Sequence, residues 1–161
     1  MANAGSEHRL RPATLDDLTA VEEIVRAAYS PYIPRIGRSP GPMLDDYRAL
    51  IEDRRAHVAE RDGVVQGVLV LIPQADAMLL DNVAVAPAAR GQGLGRLMLA
   101  FAESAAVEAG FSFIKLYTNE AMTENIELYS RLGYAVTHKA EEKGLRRVYM
   151  IKPVGGAASP L

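Results

Sequence analysis

The spacing of apolar residues along this chain changes several times, and each change marks an element. Residues 8–12 read as a short first strand. Thr14 then stands where a helix cap belongs, with Asp17 three residues on to complete a capping box. Leu15, Leu18, Val21, Val25 and Ala28 recur at helical spacing and predict a helix that ends near Tyr29, because Pro31 and Pro34 follow. Residues 30–42 hold four prolines and two glycines in 13 positions, the mark of an ordered loop or broken helix rather than a flexible linker. A shorter helix is expected over 44–54.

The next stretch is rich in β-branched and aliphatic residues. It predicts strands at 57–61, 64–72 and 78–85, with Asp62-Gly63 as a hairpin turn between the first two. After Pro87 a Gly-rich turn opens a long helix at 94–109, with Leu94, Leu97, Met98, Phe101 and Ala105 on one face and Gly110 at its end. A strand at 112–117, a short helix capped by Thr123 and ending at Gly133, and a strand pair at 134–139 and 145–152 complete the chain. The order β α α β β β α β α β β is neither pure alternation nor two blocks. It predicts a mixed α/β (α+β) fold, with about seven strands in one sheet and helices on both faces. No repeat or dividing linker interrupts it, so residues 1–161 form one expected domain, with 1–6 and 153–161 as frayed tails.

Composition narrows the chemistry. The chain has 161 residues, 49% of them apolar, enough for a full core without staples. Cysteine is absent, which removes disulfides, thiolate metal sites and any cysteine nucleophile. His8, His57 and His138 are scattered without metal-ligand spacing, so no metal is expected. A net charge of −2 argues against a broad nucleic-acid footprint. No apolar run approaches the roughly 20 residues that cross a bilayer, and a cytoplasmic location without membrane association is the expectation.

The candidate chemistry begins at Arg90-Gly91-Gln92-Gly93-Leu94-Gly95-Arg96. Three glycines on alternate positions leave the backbone bare where a strand turns into a helix. Unpaired N–H groups and the positive end of a helix dipole suit a diphosphate there, with Arg90 and Arg96 as charge-assisted donors. The dinucleotide fingerprint fails because Arg96 replaces its third glycine. A P-loop fails because no glycine is followed by Lys-Ser/Thr. Taken alone, the turn also fits a glycine-rich bend with no ligand.

Together with the preceding Asp81-Asn82-Val83-Ala84-Val85-Ala86-Pro87, this turn resembles motif A of the GCN5-related N-acetyltransferase superfamily. Downstream, Leu128-Tyr129-Ser130-Arg131-Leu132-Gly133-Tyr134 resembles that family's second signature. The resemblance covers roughly residues 8 to 152. It implies a mostly antiparallel sheet whose fourth and fifth strands splay to admit the pantetheine arm of acetyl-CoA. On that reading the main chain of Val83, Ala84 and Val85 holds the arm. Arg90, Gly91, Gln92, Gly93, Leu94, Gly95 and Arg96 hold the pyrophosphate.

Tyr129 becomes the candidate general acid toward the sulfur leaving group. Unaided, the same tyrosine reads as a half-buried aromatic. Asp81 is the candidate base for the attacking amine, with a solvent-facing residue at a strand bulge as the alternative. Many family members carry an asparagine seven residues before the tyrosine. Here that position is Met122, flanked by Asn119 and Asn125, one of which could take its place; Asn125 is the candidate cofactor contact, with stabilisation of the helix start near Thr123 as its alternative. Without a cysteine, direct transfer in a ternary complex is the expected mechanism.

The resemblance also places the acceptor side at residues 29–47. Tyr29, Tyr32 and Tyr47 are candidate walls, and Arg35 and Arg38 candidate anion holders, with tyrosines that cover the core and solvated loop arginines as the equal alternative. A small-molecule amine is the expected acceptor, weakly one with an anionic group. Asp45, Asp46, Asp76 and Glu120 keep polyamines and aminoglycosides open. Peptide N-termini, a bulkier acyl-CoA donor and a non-catalytic acyl-CoA-binding module remain as alternatives. The last strand pair is a possible homodimer interface.

Overall fold

The computed structural model describes residues 7–155. The elements run β1 (Arg9–Pro12), α1 (Leu18–Tyr29), α2 (Ile33–Ile36), α3 (Tyr47–Glu52), β2 (Ala56–Arg61), β3 (Val64–Pro73), β4 (Met78–Val85), α4 (Leu94–Glu108), β5 (Phe113–Asn119), α5 (Thr123–Arg131), β6 (Ala135–Glu142) and β7 (Leu145–Pro153). The seven strands form one sheet in the order β1-β2-β3-β4-β5-β7-β6. Every pairing is antiparallel except β4 with β5. The mixed α+β architecture expected from the element order is the one found.

Strand alternation divides the core. Val68 and Val70 of β3 face one side, with Val21 and Val25 of α1 and Tyr47 and Ile51 of α3. Leu69 and Leu71 face the other, with Leu94, Met98 and Ala102 of α4 and with Tyr129 of α5. Helices thus cover both faces. No helix among the described residues is long and apolar enough to cross a membrane.

Several local expectations shift. The capping box forms, with the Thr14 amide donating to Asp17 Oδ2 at 2.8 Å. The turn it opens is 3₁₀ over Leu15–Asp17, and α1 proper begins at Leu18. That tighter winding turns Leu15 out of the stripe and leaves it exposed, while Ile24 and Tyr29 join Val21 and Val25 inside. The helix expected over 44–54 shortens to α3. Gly41–Leu44 makes a separate 3₁₀ turn, and Asp46 caps α3 by accepting from the Ala49 amide at 3.1 Å.

In α4 the buried stripe is Leu94, Met98, Leu99, Ala102 and Ala106, so Leu97 is 42% exposed. Small alanines let the helix sit close to the sheet. Met122, not Thr123, occupies the cap of α5. The strand expected over 134–139 runs instead over Ala135–Glu142, because Tyr134 turns inward and packs edge-on to Tyr129 at 5.7 Å. Pro153 ends β7, and Val154 is buried with its amide donating to Ser112 O at 2.9 Å. Pro153 and Val154 therefore do not belong to the expected tail. Residues 1–6 and 156–161 lie outside the described part.

Candidate active site

The parallel pairing of β4 and β5 is short. It joins Met78, Leu79 and Leu80 to Ile114, Lys115 and Leu116 and stops. β5 continues to Asn119 along β7, and β4 continues to Val85 along β3. The edge of β4 facing β5 beyond Leu80 is therefore left without a strand partner, an unusual state for main-chain donors and acceptors inside a sheet. A β-bulge sits at this divergence. Val70 pairs with Asn82 and Leu71 with Leu80, so Asp81 is the extra residue. Bulges re-aim side chains beside functional sites. Here Asp81 lines the cavity in the wedge and accepts a hydrogen bond from Tyr117 Oη at 3.2 Å.

Following β4, the chain enters α4 through residues 90–95. Gly91 and Gly93 have φ of 78° and 79°, the left-handed region where a Cβ is strained. Gly93 is the helix cap and brings no side-chain acceptor. The first intrahelical bond runs from the Leu97 amide to Gly93 O at 3.1 Å, so the amides of Leu94, Gly95 and Arg96 have no partner within the helix. The first turn of this 15-residue helix carries no acidic residue to neutralise its dipole. Arg90 and Arg96 are exposed and make no ion pair among the described residues. The helix thus starts with bare donors and two exposed cations beside it, a chemistry that suits an anion. Gln92 is also exposed, its side chain reaching back to Ala88 O at 3.4 Å.

From this turn, a groove lined by Arg90, Val85, Ala84, Val83 and Asn125 runs along β4. It shares Tyr29, Val83, Met122 and Asn125 with a second cavity, lined also by Asp81, Asn82, Tyr117, Tyr129 and Arg147. Tyr129 is only 8% exposed, and its hydroxyl has no hydrogen-bond partner among the described residues. Burial pushes that hydroxyl up to about 12, so it stays protonated through the neutral range. An acid and a carboxylate thus flank one cavity that opens onto the groove.

The acceptor-side tyrosines divide. Tyr29 Oη donates to Asn82 Oδ1 at 2.5 Å, Asn82 Nδ2 donates to Tyr47 Oη at 2.9 Å, and Tyr47 Oη donates to Pro42 O at 2.5 Å. This buried relay ties α1, β4, α3 and the 40–44 turn together. Tyr29 lines both cavities, whereas Tyr47 lines a separate hollow with Glu22, Arg26, Met43 and Asp45. Asn82 was not legible as a site residue, although a polar side chain at a buried position of an apolar strand is the signal. Replacing Asn82 with Leu strips both tyrosine hydroxyls of a partner. It is expected to lower stability by about 1–3 kcal/mol in urea unfolding; an unchanged midpoint would show that the relay contributes nothing.

Arg35 does not stand free to hold an anion. Its guanidinium makes a fork with Glu124, 2.8 and 2.6 Å, reaches Ala121 O at 3.1 Å and lies over Tyr32. It joins α2 to α5 across the groove that Tyr32 also lines. Arg38 approaches the β6–β7 turn so closely that a Cβ on Gly144 would lie 2.1 Å from its Nη1. Asn119 accepts from the Ala121 amide at 2.8 Å and also lines the second cavity, while Asn125 lines both. Met122 is buried beside Thr118, whose hydroxyl donates to its sulfur at 3.7 Å. Arg147, unremarked in the sequence, lies over the Tyr117 ring and pairs with Glu142 at 2.7 Å. Among the described residues, no group of His, Cys, Asp and Glu is arranged to hold a metal ion.

Comparison with known proteins is consistent with this geometry. The model of the acetyltransferase (GNAT) family matches residues 18–134. An uncharacterised N-acetyltransferase of Escherichia coli K12, YjgM, is 29% identical over 134 residues, covering 78% of this chain and 80% of that one. In fold, the chain is similar to the ribosomal-protein-S18-alanine N-acetyltransferase of Escherichia coli, with a TM-score of 0.74 at 18% identity over 96% and 99% of the two chains. It is also similar to the PaiA N-acetyltransferase of Thermoplasma acidophilum, solved in complex with coenzyme A, with a TM-score of 0.71 at 16% identity over 91% and 99%.

Proposed function

The chain belongs to the acetyltransferase (GNAT) family and is an N-acetyltransferase, and from that premise we propose that it moves acetyl from acetyl-CoA directly to the primary amine of a small-molecule acceptor. The observation that carries the reading is one continuous path. Bare amides at the start of α4 lead along the unpaired edge of β4 to a cavity flanked by Tyr129 and Asp81.

The residues fit acetyl-CoA, which when bound supplies an acetyl thioester. The amides of Leu94, Gly95 and Arg96, with Arg90 and Arg96, hold its diphosphate. The free main-chain groups of Val83 and Val85 take its pantetheine arm as a further strand and orient the thioester carbonyl. Asp81 accepts a proton from the acceptor ammonium, directly or through a water. Tyr129 donates its proton toward the departing sulfur, and Asn125 borders both substrates. Positioning contributes most of the acceleration, because both reactants are held in one cleft.

A small acceptor is supported by the cover over the cavity. Pro40, Gly41 and Pro42 line it from one side and Leu145 and Arg147 from the other, while Arg38 bridges to the β6–β7 turn at Gly144. The ribosomal-protein-S18-alanine enzyme among the structural neighbours supplies the contrary case, a protein acceptor. Initial-rate kinetics of CoA release test the mechanism. Direct transfer predicts intersecting double-reciprocal lines and no mass gain on the protein with acetyl-CoA alone; parallel lines with an acetylated protein would overturn it.

A further inference from the structure

Of the side chains that line the catalytic cavity, Asp81 is the one carboxylate and Arg147 the one cation among the described residues. Both flank the ring of Tyr117. Its hydroxyl donates to Asp81 Oδ1 at 3.2 Å, and the Arg147 guanidinium lies 4.2 Å from its centroid. The guanidinium is anchored from outside. Its Nη1 donates to Glu142 Oε1 at 2.7 Å, an oxygen that also accepts from Tyr149 Oη at 2.5 Å. Glu142 is 45% exposed and does not line the cavity, whereas the Arg147 side chain is only 14% exposed. Its other terminal nitrogen, Nη2, lies beside Gly41 at the cavity wall, where a Cβ would come within 3.3 Å. A side chain there would crowd Nη2, and glycine leaves it reachable. The unpartnered hydroxyl of Tyr129, a residue only 8% exposed, marks the same cavity independently as a ligand's place.

The charges that pointed to other acceptors lie away from this cavity. Arg35 is forked to Glu124, and Arg38 lies against the β6–β7 turn. Asp45, Asp46, Asp76 and Glu120, which left polyamines open, line none of it. We propose that Arg147 is the specificity-determining residue for the acceptor and that the acceptor is a small amino acid, its carboxylate held by Arg147 Nη2 and its ammonium facing Asp81. The inference rests on the transferase reading above and names its substrate class. A guanidinium carries donors on more than one edge, so it serves Glu142 outside and a ligand carboxylate inside. Spanning one phenol ring with a hydrogen bond at each end leaves room for one or two carbons between nitrogen and carboxylate. A polyamine meets a like charge at Arg147, and a peptide N-terminus brings no carboxylate within that reach. In the reaction the ammonium yields one proton to Asp81. The freed nitrogen bonds to the acetyl carbon as the carbon–sulfur bond breaks, and Tyr129 gives the sulfur its proton. The new amide sheds a second proton, which restores Tyr129, and Asp81 releases the first to solvent.

The test reads CoA release under saturating acetyl-CoA for wild type, Arg147→Gln and Arg147→Lys, with kcat/KM expressed per free amine. The acceptors are L-alanine, β-alanine, L-alaninamide, n-butylamine and a short peptide with an N-terminal alanine. Wild type is expected to prefer an amino acid over alaninamide, butylamine and the peptide by about tenfold or more. Arg147→Gln should raise the KM of that amino acid by about tenfold to a hundredfold, with kcat much less affected. Alaninamide and butylamine should change by less than about threefold, whereas a merely structural arginine would move every acceptor alike. Arg147→Lys should restore part of the loss. A wild type that uses alaninamide, butylamine or the peptide as well as the amino acids overturns the proposal without any variant and leaves the transferase intact. An Arg147→Gln effect equal for all acceptors does the same. No CoA release with any amine, despite demonstrable acetyl-CoA binding, overturns the transferase reading itself and this inference with it.

Discussion

Replacing Tyr129 with Phe is expected to lower kcat by about 10²–10³-fold, with CoA affinity and the unfolding midpoint unchanged. The physical case is unusually clean because the hydroxyl has no partner among the described residues, so its removal orphans no buried group. Phe keeps the ring that packs against Tyr134. A thiolate leaving group has a pKa of about 8.5 and gains most from a donor that still carries its proton at the working pH. Burial secures that by raising Tyr129 to about 12. The check is steady-state kinetics on a reactive amine alongside calorimetry with CoA. A variant that keeps wild-type kcat would remove Tyr129 from the chemistry and leave it a packing residue.

The second large effect concerns the anion seat. Gly95→Asp is expected to weaken CoA binding by about 10²-fold by calorimetry, because it sets a carboxylate against a diphosphate at close range. The same change should not lower the melting temperature. An acidic residue in the first turn complements the helix dipole, and any side chain in place of glycine reduces the entropy lost on folding. A Cβ at Gly95 meets only Val85 Cγ2 at 4.0 Å, an ordinary contact. Affinity lost while stability is kept separates an anion site from a mere structural turn. Retained affinity would mean that the phosphates lie elsewhere.

Much of this was readable from residue order. The glycines at 91, 93 and 95 announce themselves, since backbone that must turn and stay bare leaves few other choices. Tyr129 came with its neighbours Leu128, Gly133 and Tyr134. Arg35, by contrast, looked free because nothing near it in the chain is its partner; Glu124 lies 89 residues away. Asn82 was hidden for a similar reason, with Tyr29 and Tyr47 brought to it from two helices. Leu15 and Leu97 were misplaced by periodicity alone. A 3₁₀ turn breaks the first stripe, and close-packed alanines rotate the second.

The sequence by itself determined the order of elements, the mixed sheet, the family and the place of the Gly-rich turn. These are properties of hydrophobic period, glycine conformation and short contiguous motifs, all local along the chain. Only the tertiary structure decided where β4 leaves β5, that a bulge turns Asp81 into the cavity, which charges are already neutralised, and that Asn82 joins Tyr29 to Tyr47. Those facts depend on register and on side chains meeting from distant segments, which no local pattern encodes.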